Sequence, residues 1–282
     1  MQREGSILIL VGFRQPLVIA HRGASDDLAE HTVDAYREAI DAGADALECD
    51  VRLTADTELV CVHDRRIDRT SDGRGVVANH TLEQLQRHDF AGWKQGWDGI
   101  GGDTPALRDV AAQVLTLDDL LDLVTAADRP IGLAIETKHP SRFGRLVEQL
   151  LVDKLSARGF VLPLRTGSGE IRVMSFAEVA MRRMRRLAPT VPRVLLMDRV
   201  PIRLRSGWLP YGVRYSGPSI DIIRLHPGYV RRVHESGGKV HVWTVNEPDD
   251  VALCLDLGVD GIITNRPRAV RAAVDAARVR QG

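Results

Sequence analysis

A (β/α)8 barrel is the fold class that this sequence predicts, on three observations. Apolar strand-like runs alternate with helix-period segments along almost the whole chain, which implies a mainly parallel sheet with helices outside it. The turn after the first run reads His21-Arg22-Gly23, so the G-x-G-x-x-G turn that usually follows the first strand of an open doubly wound sheet is missing. The length of 282 residues is close to the roughly 250 of one barrel, although about 150 residues per domain would suggest two domains.

The elements follow in order. Leu17-Val18-Ile19-Ala20 is a short buried run. Thr32 opens a helix with Val33, Tyr36, Ala39 and Ile40 on one face and Gly43 as its stop. Ala46 to Leu53 and Leu59 to His63 read as strands. The few residues between them are too short for a crossover helix, so these two form a hairpin. Residues 64–115 are rich in Gly, Asp, Arg and Trp, with Asp72-Gly73 and Gly101-Gly102. Their low apolar content predicts an elaborated loop, not a separate domain, with a small helix signalled by Thr81 and Gln84.

Thr116 then caps a helix carrying Leu117, Leu120, Leu121 and Val124. Ile131 to Ile135 is a strand, followed by a helix with Phe143, Leu146, Val147, Leu150 and Leu151. Ile171 to Met174 is a strand, and Ser175 with Glu178 predicts a capping box for the next helix. Val194 to Met197, Ser219 to Ile223, Val240 to Val245 and Gly261 to Thr264 complete the strands. A helix from Asn246 has Pro248 in its first turn and Gly258 just past its end.

Composition narrows the function. Hydrophobic residues are 44% and charged residues 27%, enough to bury a core without staples. Lys and Arg (38) cancel Asp and Glu (38), which excludes nucleic acid or an anionic membrane as a partner held mainly by net charge. Cys49, Cys61 and Cys254 are too few for a disulfide framework or zinc site and read as buried free thiols. The run Ile7 to Val11 is too short for a signal peptide and lacks a basic start. No stretch approaches the roughly 18 apolar residues of a membrane span. A soluble cytoplasmic protein is therefore expected.

The chemistry-bearing residues sit at the carboxyl ends of the strands, where barrel active sites are built. Glu48 and Asp50 are two apart on one strand and share a face, as do Glu136 and Lys138 on another. Two readings stand for the three carboxylates. They either hold a divalent cation, Mg²⁺ or Ca²⁺ for an all-oxygen donor set, or pair with arginines as salt bridges. His21 and His63 end neighbouring strands and form a candidate acid–base pair. Arg22 and Lys138 suit an anion such as a phosphodiester. Trp243 is either an apolar wall for substrate or barrel packing. Arg182, Arg183, Arg185 and Arg186 read as a solvated helix face, and His80, His88, His226 and His234 as solvated or packing residues.

The ordered set Ile19-Ala20-His21-Arg22-Gly23-Ala24, Glu48-Cys49-Asp50-Val51, Val62-His63-Asp64, Asp68-Arg69-Thr70, Glu136-Thr137-Lys138, Ser175-Phe176, Trp243-Thr244-Val245-Asn246 and Gly261 through Pro267 resembles the glycerophosphodiester phosphodiesterases. The resemblance spans residues 17 to about 267. It implies a distorted (β/α)8 barrel, a single domain over residues 1–282, with residues 64–115 as a small insertion after the third strand. It implies Glu48, Asp50 and Glu136 as cation ligands, His21 and His63 as acid and base, and Arg22 and Lys138 on the phosphate. The implied reaction splits a glycerophosphodiester into glycerol 3-phosphate and an alcohol, with a cyclic phosphate as a possible intermediate.

Two departures stand out. The family's usual Pro-Glu-Asn-Thr segment reads Ala29-Glu30-His31-Thr32, with Glu30 still expected near the metal site. The usual Thr-Asp reads Thr264-Asn265, which is expected to cost one outer hydrogen bond. Two further readings remain open. One is phospholipase D-like action on lysophospholipids, with Trp93 and Trp97 as an apolar aid. The other is a non-catalytic phosphodiester-binding relative.

Overall fold

The computed structural model describes residues 15–95, 112–161 and 169–280, and every count below refers to those residues. Nine strands form one sheet: β1 (Leu17–His21), β2 (Ala46–Leu53), β3 (Leu59–Cys61), β4 (Gly132–Thr137), β5 (Ile171–Ser175), β6 (Arg193–Met197), β7 (Tyr215–Pro218), β8 (Lys239–Val242) and β9 (Gly261–Thr264). Their order is β1-β9-β8-β7-β6-β5-β4-β2-β3, and an additional β1–β2 pairing closes the ring. Eight parallel strands thus make the barrel, and β3 stands outside it as the antiparallel partner of β2.

β2 shows how pattern becomes structure. Leu47, Cys49 and Val51 join the apolar layer beneath the helices, so Glu48 and Asp50 alternate to the barrel interior with Ala46. One edge of β2 is shared in sequence. Ala46 to Glu48 pair with β1, and Val51 to Leu53 pair with β3. β4 runs along the other edge from Ala46 to Val51.

Most helix signals act as expected. The Thr32 side chain caps α1 (Val33–Asp41) by accepting from the Ala35 N–H. Thr81 and Gln84 form the capping box of α2 (Leu82–Leu85), which α3 (Gly92–Gln95) follows. Thr116 caps α4 (Leu117–Thr125), with Asp119 bonding back. Then come α5 (Leu146–Ala157), α6 (Glu178–Leu187), α7 (Ile220–Leu225), α8 (Gly228–Glu235), α9 (Pro248–Leu257) and α10 (Pro267–Val279). α9 ends at Gly258 in the left-handed conformation, φ 66°.

Four expectations are corrected. Ser219 to Ile223 is not a strand: Ser219 is the N-cap of α7, and the strand is Tyr215–Pro218 just before it. Ser175 does not cap α6, whose N-cap is Ala177; its hydroxyl donates instead to the Thr137 carbonyl, tying β5 to β4. α9 starts at Pro248 with Glu247 as N-cap, two residues after Asn246. β3 ends at Cys61, two residues before His63.

After β3 the chain builds a small apolar cluster of Val60, Val62, Ile67, Val77, Leu85, Phe90 and Val114. Trp97, Gly101-Gly102 and the run Ile7 to Val11 lie outside the described residues. The three cysteines are buried and free. Among the described residues no helix is long and apolar enough to cross a membrane.

Candidate active site

Three buried carboxylates meet at the carboxyl end of the barrel. Asp50 and Glu136 are register partners on β2 and β4, and Glu48 lies two residues before Asp50. Glu48, Asp50 and Glu136 each offer an oxygen, and these atoms all lie within 4.8 Å of one another. Lys138 Nζ is 2.9 Å from Asp50 Oδ1 and 2.8 Å from Glu136 Oε1. Arg22 Nε is 3.1 Å from Asp50 Oδ2, and the Arg22 N–H donates to Glu48 Oε2 at 3.0 Å. The salt-bridge reading of this cluster is therefore realised in part.

Two cationic side chains do not balance three carboxylates. Burial, and then Asp50, push the Glu48 carboxyl well above its ordinary range. Burial and Asp50 likewise raise Glu136 to about 7, against the pull of Lys138. Burial opposes the charge on Asp50 too, but Lys138, His31 and Arg22 outweigh it and hold that carboxyl well below its usual range. Like charges this close require either a proton or a cation.

The residues fit a hard divalent cation. All the donors are oxygens. Asp50 Oδ1 is buried and, although near Lys138, has no aligned hydrogen bond. Among the described residues no Lys or Arg side chain forms an ion pair with Glu48, and the His21 ring, through Nε2, is 4.0 Å away.

The histidines approach from two strands. His21 is the last residue of β1, and its Nδ1 donates to Asn265 Oδ1 at 2.6 Å. Burial, then Arg22, push its pKa down to about 3. His63 follows β3, and its Nδ1 bonds Asp64 Oδ1 at 2.7 Å. Burial lowers His63 as well, against the pull of Asp50. Arg69 holds Asp64 in turn, 2.7 Å from Oδ2, which brings that carboxyl to about 2.

His21, Arg22, Glu48, His63, Glu136, Lys138 and Trp243 line one cavity of about 240 Å³, with Asp50 behind it. Met174, Phe176, Leu196 and Ile263 complete an apolar wall. Trp243 Nε1 donates to the Gly217 carbonyl at 2.7 Å, and its ring meets Phe176 edge-on at 5.4 Å. Trp243 thus both packs the barrel and walls the cavity. A larger cavity of about 750 Å³ lies among the amino-terminal ends of the strands, around Arg172, Tyr215 and His241, and contains none of these residues.

The match to known proteins bears on what this cavity does. Residues 21–269 match the model of the glycerophosphoryl diester phosphodiesterase family. The chain belongs to that family. It is 42% identical over 265 residues to the probable glycerophosphodiester phosphodiesterase 1 of Mycobacterium tuberculosis (strain H37Rv), covering 93% of this chain and 94% of the relative. It is 30% identical over 253 residues to the glycerophosphodiester phosphodiesterase of Bacillus subtilis, covering 89% and 84%. The barrel resembles that of an Oleispira antarctica phosphodiesterase solved with its product sn-glycerol-3-phosphate, with a TM-score of 0.77 at 22% identity over 93% of this chain and 97% of that one. The protein is thus a phosphoric diester hydrolase.

Within this phosphodiesterase one sequence expectation changes, that at Asn265. Glu30 lies one residue removed from the cluster, held by Arg69 (2.7 Å) and by Arg22 Nη1 (3.1 Å), whose Nε contacts Asp50. Asn265 costs no hydrogen bond, since its carbonyl accepts from His21 as a carboxylate would. Sequence reasoning placed an outer hydrogen bond at Asn265 but missed His31, Tyr36 and Asp64 as partners of the site. Asp64, adjacent to His63, carried a usable signal, and so did the departure at His31. The Trp93 Nε1 donates to the Phe90 carbonyl and Arg69 lies over its ring.

Proposed function

We propose that this enzyme hydrolyses glycerophosphodiesters to glycerol 3-phosphate and an alcohol, with one divalent cation, Mg²⁺ or Ca²⁺, held by Glu48, Asp50 and Glu136. The observation that carries the reading is the convergence of these carboxylates with two histidines and two cationic side chains on one cavity. When bound, the cation would supply Lewis-acid polarisation of the phosphoryl group. Arg22 and Lys138 line the same cavity and neutralise the diester's charge.

The two histidines are assigned different work. The Nδ1 of His21 is committed to Asn265, which leaves Nε2, 4.0 Å from Glu48 Oε2, as the ring nitrogen assigned to take the proton of the attacking hydroxyl. His63 has Asp64 on Nδ1, which favours the protonated ring against the net lowering by burial, so it is assigned delivery of a proton to the departing alcohol. The attacking hydroxyl is the neighbouring one of the glycerol, with water opening the cyclic phosphate afterwards.

The test is release of glycerol 3-phosphate from glycerophosphocholine by the purified protein. Turnover is expected with Mg²⁺ or Ca²⁺ and not with EDTA, and H21A and H63A should each lose roughly 10²-fold or more in kcat. Unchanged turnover in both variants sinks the assigned chemistry. A parallel assay on lysophosphatidylcholine asks whether Phe176, 45% exposed at the cavity, accepts an acyl chain.

A further inference from the structure

We infer that His31, a residue outside the cavity wall, is a positioning residue that sets the cation affinity of the site by fixing the orientation in which the Asp50 carboxylate faces the carboxylate cluster. The inference rests on the cation reading of Glu48, Asp50 and Glu136 given above.

His31 Nε2 lies 3.0 Å from Asp50 Oδ2. A carboxylate oxygen only accepts, so Nε2 carries the proton of that bond. Arg22 Nε approaches the same oxygen at 3.1 Å. Oδ2 thus has one hydrogen bond, from His31, and one ion-pair contact, because Arg22 Nε has no aligned hydrogen bond either. Oδ1, the oxygen without an aligned hydrogen bond, is the one turned to Lys138. Rotation of the carboxylate would break the contact with His31 and with Arg22 together.

The ring itself is held at its other end. His31 Nδ1 is 2.8 Å from the Tyr36 hydroxyl, and that hydroxyl donates to the Glu48 carbonyl at 3.0 Å. A path therefore runs from the Asp50 side chain through His31 and Tyr36 to the backbone of Glu48, with both ends on β2, and its three hydrogen bonds are complete when Nδ1 carries a proton as well as Nε2. Tyr36 lies in α1 and is fully buried, so the path is clamped by the barrel's helical layer. The backbone accepts a cost for this aim. His31 has φ 61°, a left-handed conformation uncommon for residues with a side chain, although histidine is among those enriched there. Its N–H donates to the Arg22 carbonyl at 3.0 Å, which locks the loop that carries both partners of Oδ2.

A packing residue and a positioning residue differ in what they move. Loss of packing lowers thermal stability alone. Loss of a partner that orients a ligand lowers metal affinity, typically about 10–100-fold. Calorimetric titration with Mn²⁺, Mg²⁺ and Ca²⁺ on wild type, H31A, H31Q and Y36F separates the two. H31A is expected to bind the cation about 10–100-fold more weakly. H31Q, which keeps an N–H donor, should recover part of the loss, and Y36F should fall between H31A and wild type. The cation concentration for half-maximal turnover should rise in step, with kcat at saturating cation within a few-fold of wild type. H21A serves as the contrast, losing kcat at unchanged cation affinity.

Folded H31A and Y36F that bind the cation within about twofold of wild type would overturn the inference. So would an H31A kcat at saturating cation as low as that of H21A. If H31A fails to fold, Y36F and H31Q decide: unchanged affinity in Y36F overturns the inference and weakened affinity supports it. A wild-type protein that binds no cation fails at the first titration, and that result overturns the cation reading itself.

Discussion

At the scale of residues, the site depends on contacts that sequence spacing cannot carry. Glu48 with Asp50, and Glu136 with Lys138, were legible because a strand repeats every two residues and puts each pair on one face. The partners that tune them come from far along the chain. Asn265 meets His21 across 244 positions, and His31 meets Asp50 across 19. Only closure of the barrel brings these together. Asn265 also offers a pH test. His21 serves as base only when unprotonated, and with a pKa of about 3 it is unprotonated throughout the neutral range. N265D places a negative charge at 2.6 Å from Nδ1, which stabilises the imidazolium and raises that pKa. The acidic limb of the kcat/KM profile is expected to move to higher pH in N265D, and a superimposable profile would reject His21 as the base.

Elements were legible where their signals are local. The caps at Thr32, Thr81 and Thr116 work because a hydroxyl accepts from an N–H three residues on. The hairpin followed from a connection too short to cross over. The seventh strand was not legible, since Tyr215-Ser216-Gly217-Pro218 resembles a turn while the isoleucines after it resemble a strand. Packing reverses both impressions. A Cβ on Gly217 would lie 2.7 Å from Leu196 Cδ2, so a side chain there would displace Leu196, and Ile220, Ile222 and Ile223 are buried on α7. The turn leaving β1 is tighter still. Gly23 has φ 87°, and a Cβ there would lie 2.6 Å from the Ala35 carbonyl carbon. G23A is expected to cost about 2 kcal/mol or more and to lower kcat/KM, because Arg22 precedes it. Urea denaturation and steady-state kinetics on the same preparation check both.

For the whole molecule, an exact balance of 38 basic and 38 acidic residues hides a strongly polarised interior. Like-charge crowding among Glu48, Asp50 and Glu136 opposes the folded state, and a ligand that binds only the folded state relieves it. At about 100 times its dissociation constant, such a ligand adds about 2.7 kcal/mol, which corresponds to a rise of roughly 5–10 °C in Tm for a chain of this size. Mg²⁺ or Ca²⁺ added to EDTA-treated protein should produce that rise, and D50N should lose it. Equal melting temperatures with and without cation in wild type would contradict a built cation site.

The shared edge of β2 has a consequence for how such an enzyme can diversify. His21 arrives on the barrel wall, whereas His63 follows, by two residues, a strand that borrows β2's edge only above the point where β1 has finished. Both histidines are therefore measured off one strand, the same strand that carries two of the three carboxylates. Asp64 and Arg69 extend that ruler, since they hold His63, and the Leu115 carbonyl ties the chain back to β3. Between Arg69 and Leu115 the chain can lengthen, shorten or change its composition while the spacing of the groups at the barrel's rim is kept.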